Sequence, residues 1–267
     1  MVRVIIDGRR MDFFKLCAVL VGWFFSSLIM AQQSQPQVFI VGVEEQLYYP
    51  HSQYKNKQFS GYAREFLDAF AVAKGYRFEY RVLPVNALFQ QLLAREIDFK
   101  YPDNAYWRHD LKAGVRLAYS DPISPYIDGV FVTKKNQHQG LAALKTLGTI
   151  KGFTLLEYDY LVRQGRIKLV EYESIDQLIE QTLAGNLDGV FGSVEVINHR
   201  LASRYTGKET LVFNPKLPYT LQSYKLSTAN RPRVLKELNS FLKDNVAMVE
   251  RLQEKYGIKP LVEAQFK

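Results

Sequence analysis

Cysteine is almost missing: the 267 residues hold one, Cys17. It lies in an N-terminal apolar run, without the small residues before it that a lipoprotein cleavage box needs. Beyond that run no disulfide, cysteine–metal site or cysteine nucleophile can form. Histidine is scarce as well, and His51, His109, His138 and His199 show no ligand spacing such as His-x-x-x-His. Neither a metal nor a cofactor is expected. A phosphate loop, a dinucleotide fingerprint and a Gly-x-Ser-x-Gly elbow are all absent, as are internal repeats and low-complexity tracts. The net charge is +8, yet no basic stripe accompanies it; Lys and Arg are interspersed with Glu and Asp along most helices. That pattern is a solvated face, and no nucleic-acid partner is expected. A basic exported chain suits small anionic ligands or an anionic envelope surface, and charge does not choose between them.

What the chain does have begins with a basic stretch, Arg3, Arg9, Arg10 and Lys15, followed by the apolar run Leu16 to Met30 and then "AQQSQPQ". This is the order of a cleavable secretory signal peptide, residues 1–31, with Ala31 as the small residue at the cut. The apolar core is shorter than the roughly 20 residues of a spanning helix, although an uncleaved anchor is the alternative. Met11 offers a second start, since "MDFFK" already supplies a minimal basic end. Removing 1–31 takes away four basic and two acidic side chains and lowers the net charge from +8 to +6. The remainder is long enough to bury large cores of its own.

Strands and helices then alternate. "QVFIVGV" (37–43) predicts a strand, and 61–75 a helix with Tyr62, Phe66, Phe70 and Ala73 at helical spacing and Gly75 as its stop. A strand at 77–83, a helix at 86–95 and a strand from Ile97 to Tyr101, ended by Pro102, complete a βαβαβ unit. A second unit follows: strand-like "TIKGFTL", a helix near 157–164, strand "IKLVEYE", a helix opened by Ser174 with Gln177 three residues on, and strand "LDGVFGS". A long helix starts near Pro232. Segments near 128–134 and 213–226 are β-like and rich in large residues, and we read them as paired hinge strands rather than a flexible tether. The expected fold is α/β, two lobes joined by two hinge strands: 37–129 with 225–267 as lobe 1, and 130–224 as lobe 2. A ligand belongs in the cleft between them.

Several of these pieces occur in the order found in a known family. "GYAREFLDAFAVAKGYRFEY", "LFQQLLAREIDF", "YSDPISPYIDGVFV", "GTIKGFT", "VEYESIDQLIEQTLAGNLDGVFGS" and "PYTLQSYKL" resemble successive segments of the periplasmic amino-acid-binding proteins, extracellular solute-binding family 3, with the type II periplasmic binding fold. The resemblance spans nearly all of the mature chain. It implies a periplasmic, non-enzymatic, monomeric receptor that captures an amino acid or related organic anion for an inner-membrane ABC transporter permease. The same fold is used by enzymes similar to the cyclohexadienyl dehydratases and by stand-alone sensors. The chain departs from the family where Ala63 replaces an aspartate and where "KYPDNAYWR" replaces a run of small residues leading to threonine and arginine.

The resemblance implies that Arg108 grips a ligand carboxylate, and that Ser193 falls where an aspartate usually receives the ammonium, with Glu195 as a stand-in. It also puts Tyr49, beside Tyr48 and Pro50, where an aromatic lies over the ligand. The residues add their own reasons. Arg108 suits a two-pronged carboxylate contact, and Tyr101, Tyr106 and Trp107 offer flat walls. Asp103 and Asn104 either face the cleft or cap a helix. Lys100, in a short buried strand, either reaches the cleft toward an anion or pairs with Asp98 or Asp103. Gly152, Phe153 and Thr154 form an anion site at a helix start or a plain turn. Asp98 and Asp188 are expected to be structural, and carboxylates such as Asp103 and Glu195 could face each other across a cleft.

Overall fold

The computed structural model describes residues 4–6, 9–11, 35–205 and 210–259. The segment expected to be a signal peptide therefore lies outside the described residues, apart from a short antiparallel hairpin of Val4–Ile6 with Arg9–Met11. Residues 1–37 and 38–267 form separate compact units.

The second unit is built on one sheet. Strand β1 (Gln37–Glu44) is followed by a small meander, β2 (Leu47–Tyr48), β3 (Ser52–Lys55) and β4 (Gln58–Ser60), which the sequence reading missed. Strands of two to four residues carry too little alternation to be read. Helix α1 (Tyr62–Lys74) ends as expected at Gly75, whose positive φ of 68° closes its last turn. Then come β5 (Tyr76–Leu83), α2 (Val85–Leu93), β6 (Phe99–Asp103), α3 (His109–Lys112) and β7 (Ala118–Tyr119).

The long strand β8 (Ser124–Thr133) leads to β9 (Thr146–Ile150), α4 (Asp159–Arg163), β10 (Lys168–Tyr172), α5 (Ile175–Leu183), β11 (Gly189–Ser193) and α6 (Val194–Arg204). Strands β12 (Leu211–Phe213) and β13 (Thr220–Thr228) and helices α7 (Pro232–Asp244) and α8 (Val246–Lys255) complete it. The main path of the sheet runs β10-β9-β11-β8-β13-β6-β1-β5, with β12 on β8 and β7 on β13.

Two differences from the expected elements have plain causes. Pro102 does not end its strand: β6 continues through it to Asp103, and the pairing with β13 is irregular between Lys225 and Ser227, which accommodates a residue without an N–H. "TIKGFTL" is not one strand, because β9 stops at Ile150 and two turns with an irregular stretch between them occupy 151–158.

Three large cores flank the sheet. One gathers Phe39, Phe66, Phe70, Phe78, Phe99 and Phe241, several at edge-to-face geometry. The second centres on Leu178, Ile179, Val190 and Ile197, and the third on Leu147, Tyr158 and Phe191. Between the first and the others, β8 and β13 pair antiparallel from Ser124↔Tyr224 to Asp128↔Thr220. The apolar faces of α1, α5 and α7, read at helical spacing, are the ones buried.

Candidate functional site

The site grows from strand ends. Glu44 terminates an apolar strand, and Asp128 interrupts another, opposite Ser193 on β11 and Thr220 on β13. Together with Tyr48, Phe89, Trp107 and Tyr224 these carboxylates line a pocket, and the turn Gly152–Thr154 after β9 closes it. Edge-to-face contacts between Tyr48 and Phe153, at 5.7 Å, and between Trp107 and Tyr224, at 5.9 Å, hold the aromatic wall.

Both carboxyl groups are almost shut off from solvent, at 4% exposure for Glu44 and 8% for Asp128. Loss of hydration pushes Glu44 up to about 7; Lys100 opposes the shift and Asp103 adds to it. Asp128 is pushed up to about 8 by burial, then by the charges of Glu195 and Glu44. Its Oδ1 has no hydrogen-bond partner among the described residues. Burial raises Glu195 too, while its Oε2 accepts from Ser193 Oγ at 3.0 Å. The carboxylates that come together are therefore Glu44, Asp128 and Glu195, not Asp103 and Glu195.

The cations nearby are already engaged. Lys100 Nζ donates to the Pro102 carbonyl, stands 4.0 Å from Asp103 and lies 4.3 Å above the Phe89 ring. Lys112 Nζ donates to Asp103 Oδ1 at 2.9 Å and to the Asn104 carbonyl at 2.7 Å. Asp103 is thus the anchor of a buried two-lysine cluster.

Among the predicted site residues, Trp107 and Phe153 line the pocket. Tyr101 is buried in the first core, and Asn104 turns inward to Tyr126 OH at 3.4 Å. Tyr49 lies against His199 instead, with ring centres 4.5 Å apart, and its neighbour Tyr48 takes the pocket position. Ser193 caps α6, accepting from Val196 N, and its own N–H donates to Tyr48 Oη at 3.1 Å.

The largest departure is Arg108. Its guanidinium binds Asp110 and Asn86 and borders an open groove with His109, Asp110 and Leu155, not the pocket. Asp110, two residues on, supplies a local carboxylate partner, and Arg108 is held in a left-handed conformation, φ 44°, that directs the chain into α3. Nor is the 152–154 turn a helix start: α4 opens only at Asp159, and the Gly152 N–H donates to Glu171 at 2.9 Å. Asp98 and Asp188 organise backbone, Asp98 Oδ2 accepting from Ile40 N at 2.9 Å and Asp188 Oδ2 from Lys145 N and Thr146 N at 2.8 and 2.7 Å.

Contacts also tie the pocket's two sides. Besides Tyr48 to Ser193, the Arg108 N–H donates to Thr154 Oγ1 at 3.1 Å. Gly152, at φ +85°, lies so close to Asn86 that a Cβ would stand 2.8 Å from its Oδ1. Among the described residues, no group of histidines, cysteines and carboxylates is arranged for a metal ion, and no helix is long and apolar enough to cross a membrane.

Solved structures of similar shape agree on the fold. The arginine-, lysine-, histidine-binding protein ArtJ from Geobacillus stearothermophilus superposes with a TM-score of 0.68 at 18% identity, covering 86% of this chain and 99% of that one. The ancestral amino acid-binding protein AncCDT-1, described as a precursor of cyclohexadienyl dehydratase, gives 0.65 at 16%, with 83% and 96% covered. A substrate-binding protein of an amino acid ABC transporter gives 0.65 at 15%, with 82% and 98% covered. These place the chain in the mixed α/β, type II periplasmic-binding fold. No curated protein matches it. The sequence profile of the bacterial extracellular solute-binding proteins, family 3, matches residues 39–259, and with that span this chain belongs to the family.

Proposed function

We propose that the chain is an extracellular receptor that closes two lobes, 37–129 with 225–267 and 130–224, around a small polar solute and presents it to an inner-membrane ABC-type importer. The observation that carries this reading is the pocket itself. Its walls come from both segments, and Tyr48–Ser193 and Arg108–Thr154 hydrogen bonds clasp them across it. Closure about paired strands that cross between two α/β units is a known route to burying a ligand. Family membership supports export and solute capture, and the relatives named for amino acids support a solute of that size.

The test is differential scanning fluorimetry of the purified protein against amino acids, amines, organic acids and short peptides, followed by small-angle scattering with any hit. A ligand of the folded state should raise the melting temperature and make the particle more compact. Thermal silence across all four classes would reject the proposal.

A second reading has its own observation. Two buried carboxyl groups poised near 7 and 8 in a cleft suit proton transfer, and AncCDT-1 is described as a dehydratase precursor. Incubation with prephenate or arogenate, followed by NMR, distinguishes the two. Steady loss of substrate would make the protein an enzyme.

A further inference from the structure

The charge inside the pocket has the opposite sign to the protein as a whole. Around it stand four carboxyl groups, those of Glu44, Asp103, Asp128 and Glu195, against two ammonium groups, those of Lys100 and Lys112. Both lysines are held by Asp103 and by backbone carbonyls of the same loop. A further cation, Lys259, acts on Glu195, whose charge is felt at Asp128, Tyr48 and Tyr224. That leaves Glu44 sharing Lys100 with Asp103, Asp128 with only carboxylates acting on it, and no lysine or arginine in the pocket lining itself.

A buried acceptor with no donor is costly, and an ionised one far more so. Asp128 Oδ1 is such an atom. Aromatic faces supply the rest of the wall through Tyr48, Phe89, Trp107, Phe153 and Tyr224, and such faces attract a cation and repel an anion. A carboxylate, by contrast, meets no lysine or arginine among the residues that line the pocket. Arg108 is bound to Asp110 and Asn86 outside the pocket, and the Gly152 N–H is taken by Glu171.

We infer that the solute is an organic amine recognised through its cationic head by Asp128 and Glu44, with no carboxylate required for binding. This rests on the solute-capture reading above and narrows it. An amine that brings positive charge to carboxyls partly protonated in the free protein displaces their protons. Binding near pH 7.5 therefore releases protons to the buffer, whereas an anion would take them up.

Isothermal titration of the full-length protein with pairs differing only in the carboxylate tests this: agmatine against arginine, cadaverine against lysine, and histamine against histidine, with glutamate and succinate alongside. The expected result is at least one amine binding tenfold or more tighter than its parent amino acid. Its binding enthalpy should vary with the ionisation enthalpy of the buffer in the sense of proton release. Asp128→Asn and Glu44→Gln should each weaken that amine at least tenfold, with circular dichroism unchanged for whichever variant is scored, and Arg77→Ala, on the exposed surface away from the pocket, should stay within threefold. Equal or tighter binding of the parent amino acid, or binding of an anion alone, overturns the amine assignment while leaving solute capture intact. No heat and no thermal shift from any compound would sink the capture reading and this one with it.

Discussion

At Asp128 a ladder position, a pocket wall and a carboxylate neighbour coincide. Since its folded pKa and that of Glu44 lie above the unfolded values, the folded state binds protons more tightly. Their contribution is thus fully present below about pH 4 and fades as pH rises through about 7 and 8. The ligand-free protein should lose melting temperature between pH 5 and 8, and Asp128→Asn should flatten that slope and raise the pH 8 melting point by about 3 °C for each kcal/mol relieved. A pH series of thermal melts for both proteins decides it; a melting point that rises over this window would contradict the assignment. The density of polar and aromatic side chains in 97–108 points to that segment rather than to these two acids. A signal was available: a lone carboxylate in "SPYIDGVFVT", or at the end of "VFIVGVE", is a charge in a buried strand and asks for a reason, as Lys100 did. Arg108 misled because its residue type fits a carboxylate, while its actual partner, Asp110, is close in sequence and local.

Elements with strong period and caps were legible, and short ones were not. Helix α5 shows the first case: Ser174 Oγ accepts from Gln177 N at 3.3 Å as the capping signature requires. Ser174→Ala should cost about 1 kcal/mol in a urea titration. Helix α6 shows the second, since Ser193 both ends β11 and caps the helix, leaving no loop to announce it. The turns before β6 and β11 were read correctly as structural. Asp188 satisfies two backbone N–H groups and the Thr146 hydroxyl at 3.0 Å, so Asp188→Ala should destabilise by about 2–3 kcal/mol. The same titration checks it, and a midpoint like that of the parent would show those donors to be satisfied otherwise.

For the molecule as a whole, the order of strands and helices was legible from alternation, but the approach of distant segments was not, because it depends on contacts far apart in sequence. Gly152 is the clearest case: nothing near it in sequence hints at Asn86. Gly152→Val would set a branched side chain at a positive φ and against that amide. It should hold the two walls of the pocket apart, lowering ligand affinity about tenfold or more and removing the compaction that the proposed closure predicts in scattering. The variant should still melt cooperatively, since the three cores are untouched.

The pairing of β8 with β13 carries one more consequence. Because the crossing strands are bonded to each other and to β11 and β6 on either side, the sheet has no seam at which to part. Any opening must bend this ladder without breaking it. Amide hydrogens at 126–128 and 221–224 should then resist deuterium exchange equally with and without ligand, while those of Ser193 and Arg108, bonded to side chains across the gap, gain protection only on binding. The centre of the movement would be the quietest part of the chain, and the motion would be read at its rim.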